Sequence, residues 1–129
     1  MSTKKILLID DSEVVLALAS NALDQAGYQT RTVLFPSQAQ GSLALIVAKY
    51  KPDLILSDID MPFLKGNEIA SITKSNPLWS DIKICFYSSE PVDKLQAYVK
   101  ATKADGFVRK SNDLTVLLRK VKEVLEPVR

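Results

Sequence analysis

The sequence predicts an α/β protein built on a five-stranded parallel sheet, doubly wound, with helices on both faces. Two kinds of segment alternate along the 129 residues: short apolar or β-branched runs, and longer stretches whose apolar residues recur at helical spacing. The short runs are mostly continuous in apolar character, which is typical of strands covered on both faces. Right-handed crossover connections then place helices on both sides of the sheet.

Five runs are predicted to be strands. They are Lys5 to Asp10, Gln29 to Leu34, Leu54 to Ser57, Lys83 to Ser88 and Gly106 to Arg109. No internal repeat and no Pro/Gly/Ser-rich tract interrupts the alternation. Residues 1–129 are therefore predicted to form a single domain, a size that buries roughly two thirds of the unfolded surface around one core.

Helices are predicted between and after the strands. The first contains apolar residues from Val14 to Ala26, with Ser12 as its N-cap and Gly27 at its C-terminal end. Four more are predicted from apolar residues at Leu43 to Tyr50, at Ile69 and Ile72, at Leu95 to Val99, and at Leu114 to Leu125. Pro127 is expected to stop the last of these helices.

Composition and charge exclude several classes of function. No apolar run is longer than Leu43 to Ala48, which is far shorter than the ~20 residues that span a bilayer, and the start lacks the apolar region of a signal peptide. We therefore expect a cytoplasmic protein that does not cross a membrane. A net charge of +2 is too small to indicate direct nucleic-acid binding. The absence of histidine excludes Ser-His-Asp triads and histidine-ligated zinc, and the single Cys85 is expected to be a buried thiol.

Carboxylate, hydroxyl and amino groups collect at one edge of the predicted sheet. Asp10 and Asp11 follow the first strand, Asp58 the third, Ser88 ends the fourth, and Lys110 follows the fifth. If the first and third strands are neighbours, the three carboxylates lie close together. Two such charges ~4 Å apart repel by about 4 kcal/mol at an effective dielectric of about 20. The sequence therefore requires a positive group at this edge.

Lys110 supplies one positive charge, and a bound cation would supply more. A set of oxygen ligands without histidine or cysteine favours a hard cation, Mg²⁺ before zinc or copper. Mg²⁺ retains several waters and can accept a phosphoryl oxygen. An aspartate then acts as nucleophile while lysine and hydroxyl groups stabilise the remaining oxygens. These residues predict phosphoryl transfer to an aspartate carboxylate.

Four motifs lie at these strand ends: LLIDDS at residues 7–12, LILSDIDMP at residues 54–62 followed by Gly66, YSSE at residues 87–90, and GFVRK at residues 106–110. Together they resemble the receiver domains of bacterial two-component response regulators, such as the single-domain chemotaxis regulator. The resemblance covers nearly the whole chain. It implies the flavodoxin-like strand order 2-1-3-4-5. It also implies a signalling domain, not an ordinary enzyme, that assists its own phosphorylation and dephosphorylation.

The resemblance also implies roles for the acidic residues. Asp58 would be the phosphoacceptor, and Asp11, Asp58 and the backbone carbonyl of Asp60 would bind Mg²⁺. Asp10 would assist the metal through a water molecule. The phosphoryl donor would be a sensor histidine kinase or a phosphotransfer protein.

The remaining implied roles concern the phosphoryl oxygens and the output. Ser88 and Lys110 would hold these oxygens. Phe107 matches an aromatic residue that turns inward when the hydroxyl at position 88 moves toward the phosphate. The face formed by the fourth predicted helix, the fifth strand and the fifth predicted helix would then change its affinity for a downstream protein, which the sequence does not identify.

Several positions bear on how far the resemblance extends. Ser111 stands where a proline usually follows the lysine, and Lys103 stands where a glycine often closes the fourth helix. The lysine predicts a different end for that helix. Asp60 and Glu90 are both acidic at positions that influence how long the phosphoryl group lasts in this family.

Two other functions fit parts of the pattern. A pseudo-receiver keeps the fold but acts without phosphate, an interpretation that the full set of acidic residues and Lys110 disfavours. Asp58-Ile59-Asp60 also resembles the nucleophile motif of haloacid-dehalogenase-like phosphatases, but Met61-Pro62 follows it, and it lies after the third strand instead of the first. Taken singly, Asp10 and Asp11 are ordinary helix-start carboxylates, and Phe107 is an ordinary core residue.

Overall fold

The computed structural model describes residues 3–35, 43–59 and 77–126. It contains five strands, β1 (Lys5–Asp10), β2 (Gln29–Leu34), β3 (Leu54–Ser57), β4 (Lys83–Ser88) and β5 (Gly106–Arg109). All neighbouring strands pair in parallel, in the order β2-β1-β3-β4-β5. The predicted strands and the strand order are confirmed.

The described helices are α1 (Glu13–Gln25), α2 (Leu43–Tyr50), α3 (Val92–Thr102) and α4 (Leu114–Leu125), with a 3₁₀ turn at Pro77–Trp79. Helices α3 and α4 are the fourth and fifth predicted helices. The helix predicted at Ile69 and Ile72 lies outside the described residues, as does Pro127. Within the described ranges, no helix is long and apolar enough to cross a membrane.

Helix α1 begins and ends as its sequence predicts. The Ser12 hydroxyl accepts a hydrogen bond from the Val15 backbone N–H at 3.3 Å, which satisfies one of the free donors of the first turn. After the helix, Gly27 has a φ of 100°, a left-handed conformation that costs glycine little. The chain can therefore turn directly from α1 into β2.

The core consists of two apolar clusters, one on each face of the sheet. Successive residues of β4 alternate between them, because side chains along a strand point to opposite faces. The first cluster contains Ile84 and Phe86 and is covered by α2 and α3 through Ile46, Val47 and Leu95. The second contains Cys85 and Tyr87 and is covered by α1 and α4 through Leu16, Ala19, Leu23, Leu117 and Val121. Cys85 is a buried thiol, as predicted.

Two aspartates anchor the N-terminal edge of the sheet. Asp53, just before β3, donates its backbone N–H to the Lys5 carbonyl at 2.8 Å, and its carboxylate accepts the Lys5 N–H at 2.8 Å. Asp105, just before β5, makes the same pair of contacts with Ile84, both at 2.8 Å. These carboxylates satisfy backbone donors where strands begin. They also fix which residues reach the opposite, C-terminal edge.

Helix α3 ends at a residue in the left-handed conformation, which glycine usually adopts at this position. Lys103 caps it with φ 62° and ψ 27°, in the left-handed region. The prediction that a lysine would give a different helix end is therefore wrong. The Thr102 hydroxyl donates to the Tyr98 carbonyl at 2.7 Å and accepts the Ala104 N–H at 3.3 Å, and the anchored Asp105 follows directly. These contacts hold the turn although a side chain with a Cβ is strained there.

Lys103→Gly is expected to raise the free energy of unfolding by about 0.5–1 kcal/mol. Relief of the left-handed strain exceeds the entropy that glycine adds to the unfolded chain. Gln96→Gly, at an exposed position inside the same helix, is the matched control and should lower stability by about 1 kcal/mol. Urea denaturation followed by circular dichroism measures both, and a loss of stability in Lys103→Gly would contradict this explanation of the helix end.

Candidate functional site

Four of the predicted site residues meet at the C-terminal edge of the sheet. Asp10, Asp11 and Asp58 each place a carboxylate oxygen within 4.8 Å of the others. They meet because β1 and β3 are neighbours and Ile9 lies opposite Ser57, directly before Asp10 and Asp58. Lys110 follows β5 and reaches the same cluster. Its Nζ lies 2.7 Å from Asp10 Oδ2 and 3.0 Å from Asp58 Oδ2.

Asp10 is the most deeply placed carboxylate of the cluster, with only 2% of its surface exposed. Burial raises its pKa above the ordinary 3.8. The hydrogen bond and charge of Lys110 oppose this rise, the negative charge of Asp58 adds to it, and the Ser12 N–H that donates to Asp10 Oδ1 at 3.0 Å opposes it. Ionised Asp10 is therefore costly, and further positive charge at this cluster would stabilise it.

Asp58 lies nearer the surface than Asp10, with 12% of its side chain exposed against 3%. Its backbone N–H donates to the Ile9 carbonyl at 3.1 Å, which ties the end of β3 to β1. One carboxylate oxygen, Oδ1, accepts the Ile59 N–H at 2.7 Å, and the other pairs with Lys110. Asp58 is thus a carboxylate that hydrogen bonds hold in place and that is more exposed than Asp10. Asp60, the fourth predicted metal-binding residue, lies outside the described residues.

Lys110 is held by contacts to its backbone and to its ammonium group. Its backbone N–H donates to the Ser88 carbonyl at 2.8 Å, which continues the pairing of β4 with β5. Burial alone would lower the pKa of Lys110, but its hydrogen bonds and ion pairs with Asp10 and Asp58 raise the pKa overall. The side chain remains a cation, and it is 17% exposed.

Tyr87 also contacts Lys110, and sequence reasoning missed this contact. The Lys110 Nζ lies 5.7 Å from the centroid of the Tyr87 ring. Burial raises the pKa of the Tyr87 hydroxyl, so the ring stays a neutral phenol at physiological pH. The signal available in the sequence was the aromatic residue directly before Ser88. Its contact with Lys110 follows from the register that places Tyr87 opposite Val108.

Ser88 and Phe107 lie on adjacent strands and face the same side of the sheet. Ser88 is 2% exposed, and its hydroxyl accepts the Glu90 N–H at 3.2 Å. Phe107 is half-buried, packs against the first core cluster and lies opposite Phe86. Ser88 and Phe107 are therefore diagonal neighbours on the face covered by α3. The switching role of Ser88 and Phe107 stays a prediction.

The chain matches the sequence model of a known family, described as the response regulator receiver domain, over residues 6–122. A curated relative is the chemotaxis protein CheV1 of Helicobacter pylori, which is 31% identical over 132 residues, covering 97% of this chain and 39% of the relative. Other relatives are transcriptional regulatory proteins. The chain spans about half the length of the curated relatives it matches.

Solved structures share the fold over nearly the whole chain. The chemotaxis response regulator CheY4 of Vibrio cholerae has a TM-score of 0.83 at 27% identity, covering 96% of this chain and 100% of that one. The response regulator TrrA from Thermotoga maritima, solved in complex with Mg²⁺-BeF, has a TM-score of 0.80 at 28% identity. That similarity covers 95% of this chain and 100% of TrrA.

Asp10→Asn is expected to stabilise the metal-free protein by about 1 kcal/mol near pH 7, because it removes a buried charge from a cluster of three carboxylates. The folded pKa of Asp10 lies above its unfolded value, so ionisation of Asp10 costs stability at pH values above the folded pKa. That cost is absent below the unfolded value of 3.8, so the gain should shrink as the pH falls toward about 4.

Urea unfolding in EDTA measures this gain, with the exposed Asp81→Asn as the control that should change little. A variant less stable than the wild type at neutral pH would contradict the assignment of Asp10 as a costly buried charge.

Proposed function

Because the chain belongs to the response regulator receiver domain family, we propose that it accepts a phosphoryl group on Asp58, with Mg²⁺ bound beside it. Receiver domains are signalling domains of two-component systems, phosphorylated by histidine kinases or phosphotransfer proteins. The observation that carries the proposal is the cluster in which Asp58 lies beside two further carboxylates and contacts Lys110. Asp58 is also more exposed than the neighbouring Asp10, so an incoming donor can reach it.

The donor set of the cluster fits Mg²⁺. Receiver domains bind this ion at an acidic pocket, and three carboxylate oxygens lie within 4.8 Å of one another here. Asp11 and Asp58 would hold the ion directly, together with the backbone carbonyl of Asp60, and the buried Asp10 would assist through a water molecule. When bound, Mg²⁺ offsets the carboxylate charges and polarises a phosphoryl oxygen. The relative TrrA was solved with Mg²⁺-BeF, which supports this assignment.

The phosphoryl group comes from a phosphohistidine that lies outside these 129 residues, which contain no histidine. A carboxylate oxygen of Asp58 forms a bond to phosphorus while the N–P bond of the donor phosphohistidine breaks. The electron pair of that bond stays on the imidazole nitrogen. Lys110, already 3.0 Å from Asp58 Oδ2, then contacts a phosphoryl oxygen, and the Ser88 hydroxyl contacts another.

The output acts through a surface that we call the output face, formed by α3, β5 and α4 (Val92–Thr102, Gly106–Arg109 and Leu114–Leu125). When the Ser88 hydroxyl moves toward the phosphoryl group, it leaves space beside Phe107, its diagonal neighbour. A packed interior offers discrete alternatives, so the ring changes between two positions. Phosphorylation then favours the state of the output face that binds a downstream protein.

The two alternative functions have less support. A pseudo-receiver that works without phosphate needs neither the convergent carboxylates nor Lys110, and here all of them are present and in contact. The phosphatase interpretation of Asp58 and Asp60 requires the motif to follow the first strand, whereas Asp58 follows β3 in a receiver-type sheet.

Incubation of the wild type with acetyl phosphate and Mg²⁺ is expected to add the mass of one phosphoryl group. Addition should fail in EDTA, because the carboxylates repel an incoming phosphate until a cation offsets their charge. Asp58→Asn should remain unmodified, and Asp93→Asn, an exposed position at the start of α3, should be labelled like the wild type. Intact-mass spectrometry measures all of these, and equal labelling of Asp58→Asn would refute the phosphoacceptor assignment.

Beryllofluoride with Mg²⁺, a stable substitute for the phosphoryl group, is expected to shift NMR resonances in the metal cluster and across the output face. Ser88→Ala should confine the shifts to the cluster, because the hydroxyl that links phosphate to Phe107 is gone. To change the ratio of active to inactive protein from 1:99 to 99:1, the bound group must favour the active state by about 5.5 kcal/mol. A smaller preference gives a partial change in the two populations. Shifts that reach α3 and α4 equally in Ser88→Ala would mean that the output uses another route.

A further inference from the structure

Among the described residues, the Lys110 ammonium contacts the face of the neutral Tyr87 ring as well as two carboxylates. The nitrogen lies 5.7 Å from the ring centroid, within the distance at which an aromatic face attracts a cation. The same nitrogen pairs with Asp10 and Asp58 at 2.7 and 3.0 Å. The cation is therefore held between two carboxylates and a ring.

The ring is the rigid member of this arrangement. Tyr87 is 6% exposed and belongs to the second core cluster, packed with residues of α1 and α4. Lysine, in contrast, carries four rotatable methylenes. A cleft of about 270 Å³ is lined by Tyr87 and Lys110 together with Val15, Leu18, Ser111 and Leu114. This cleft gives the lysine side chain an alternative position away from the carboxylates.

The ring also differs from the carboxylates in what happens when the site is loaded. On the proposed function, Mg²⁺ and the phosphoryl group would engage Asp58 and Asp10 would assist the metal through water, so both ion pairs of Lys110 would have to rearrange. The ring takes no part in that exchange. It attracts the ammonium without neutralising its charge, which leaves the charge free for a phosphoryl oxygen.

We propose that Tyr87 is a positioning residue that keeps the Lys110 ammonium over the carboxylate cluster and out of the adjoining cleft. The proposal rests on the proposed function of Lys110 as the cation that contacts the transferred phosphoryl group. An aliphatic side chain at position 87 would fill the core but would attract no cation.

Three variants separate attraction from packing. Tyr87→Phe keeps the aromatic face, and Tyr87→Leu removes it. Phe86→Leu is the matched control, because Phe86 is a fully buried ring on the same strand that faces the opposite side and packs edge-on against Tyr98 at 6.3 Å. Tyr87→Leu and Phe86→Leu therefore both lose a buried ring. Only Tyr87→Leu loses the ring beside Lys110.

The first measurement is the NMR chemical shift of the Lys110 side chain, which the ring current of Tyr87 displaces. The displacement should persist in Tyr87→Phe and Phe86→Leu and disappear in Tyr87→Leu. The second is the rate of phosphorylation by acetyl phosphate with Mg²⁺. Tyr87→Leu should be slower by about three- to tenfold, the range expected for one lost cation–π contact, while Tyr87→Phe stays close to the wild type.

A third measurement does not depend on whether Tyr87→Leu folds. Tyr87→Phe is prepared with increasing fluorine substitution on its ring, which weakens the attraction for a cation while largely keeping the shape. The phosphorylation rate should fall stepwise along this series. A flat series, a wild-type rate in Tyr87→Leu, or an equal slowing in Phe86→Leu would each overturn the proposal. If the proposed function were wrong, acetyl phosphate would not label the wild type. The positioning role of Tyr87 could still be tested in that case, because a Lys110 chemical shift without ring-current displacement would overturn it.

Discussion

The contact of one lysine with two carboxylates is the constraint on which the functional edge of this protein depends. Asp10 and Asp58 follow neighbouring strands and would repel each other by about 4 kcal/mol at ~4 Å with an effective dielectric of about 20. Lys110 lies within 3.0 Å of both and offsets part of this repulsion. Lys110 does not cancel the cost of the Asp10 charge, because burial and the charge of Asp58 still raise the pKa of Asp10. Three clustered carboxylates with one ammonium keep a net negative charge, which further positive charge would stabilise.

The sheet supplies the precision that this contact needs. Lys110 must extend from the end of β5 across the edge of the sheet to the ends of β1 and β3, so small changes in strand register would separate the charges. Register is fixed at the other edge, where Asp53 and Asp105 each bridge a neighbouring strand through two hydrogen bonds. Structural aspartates thus occupy the N-terminal edge of the sheet, and the candidate functional aspartates occupy the C-terminal edge.

The last two residues of β4, Tyr87 and Ser88, face opposite sides of the sheet. Tyr87 faces the cluster covered by α1 and α4 and supports Lys110 from that side. Ser88, the next residue, has the opposite orientation and shares its face with Phe107 and α3. Adjacent residues of one strand therefore lie on opposite faces, Tyr87 beside the Lys110 ammonium and Ser88 beside Phe107.

The sequence by itself determined the strands, the ends of α1 and the residues that meet at the candidate site, Asp10, Asp11, Asp58 and Lys110. Periodicity, capping and the residue types at strand ends are local properties, so they can be read without the fold. The residues alone did not determine the strand order, which was inferred from the family resemblance, because the order depends on how distant segments cross over. Tertiary structure alone decided that Lys103 adopts a left-handed conformation, since contacts of Thr102 and Asp105 override the preference of lysine. It also decided the contact of Tyr87 with Lys110, because pairing of β4 with β5 brings together residues that are far apart along the chain.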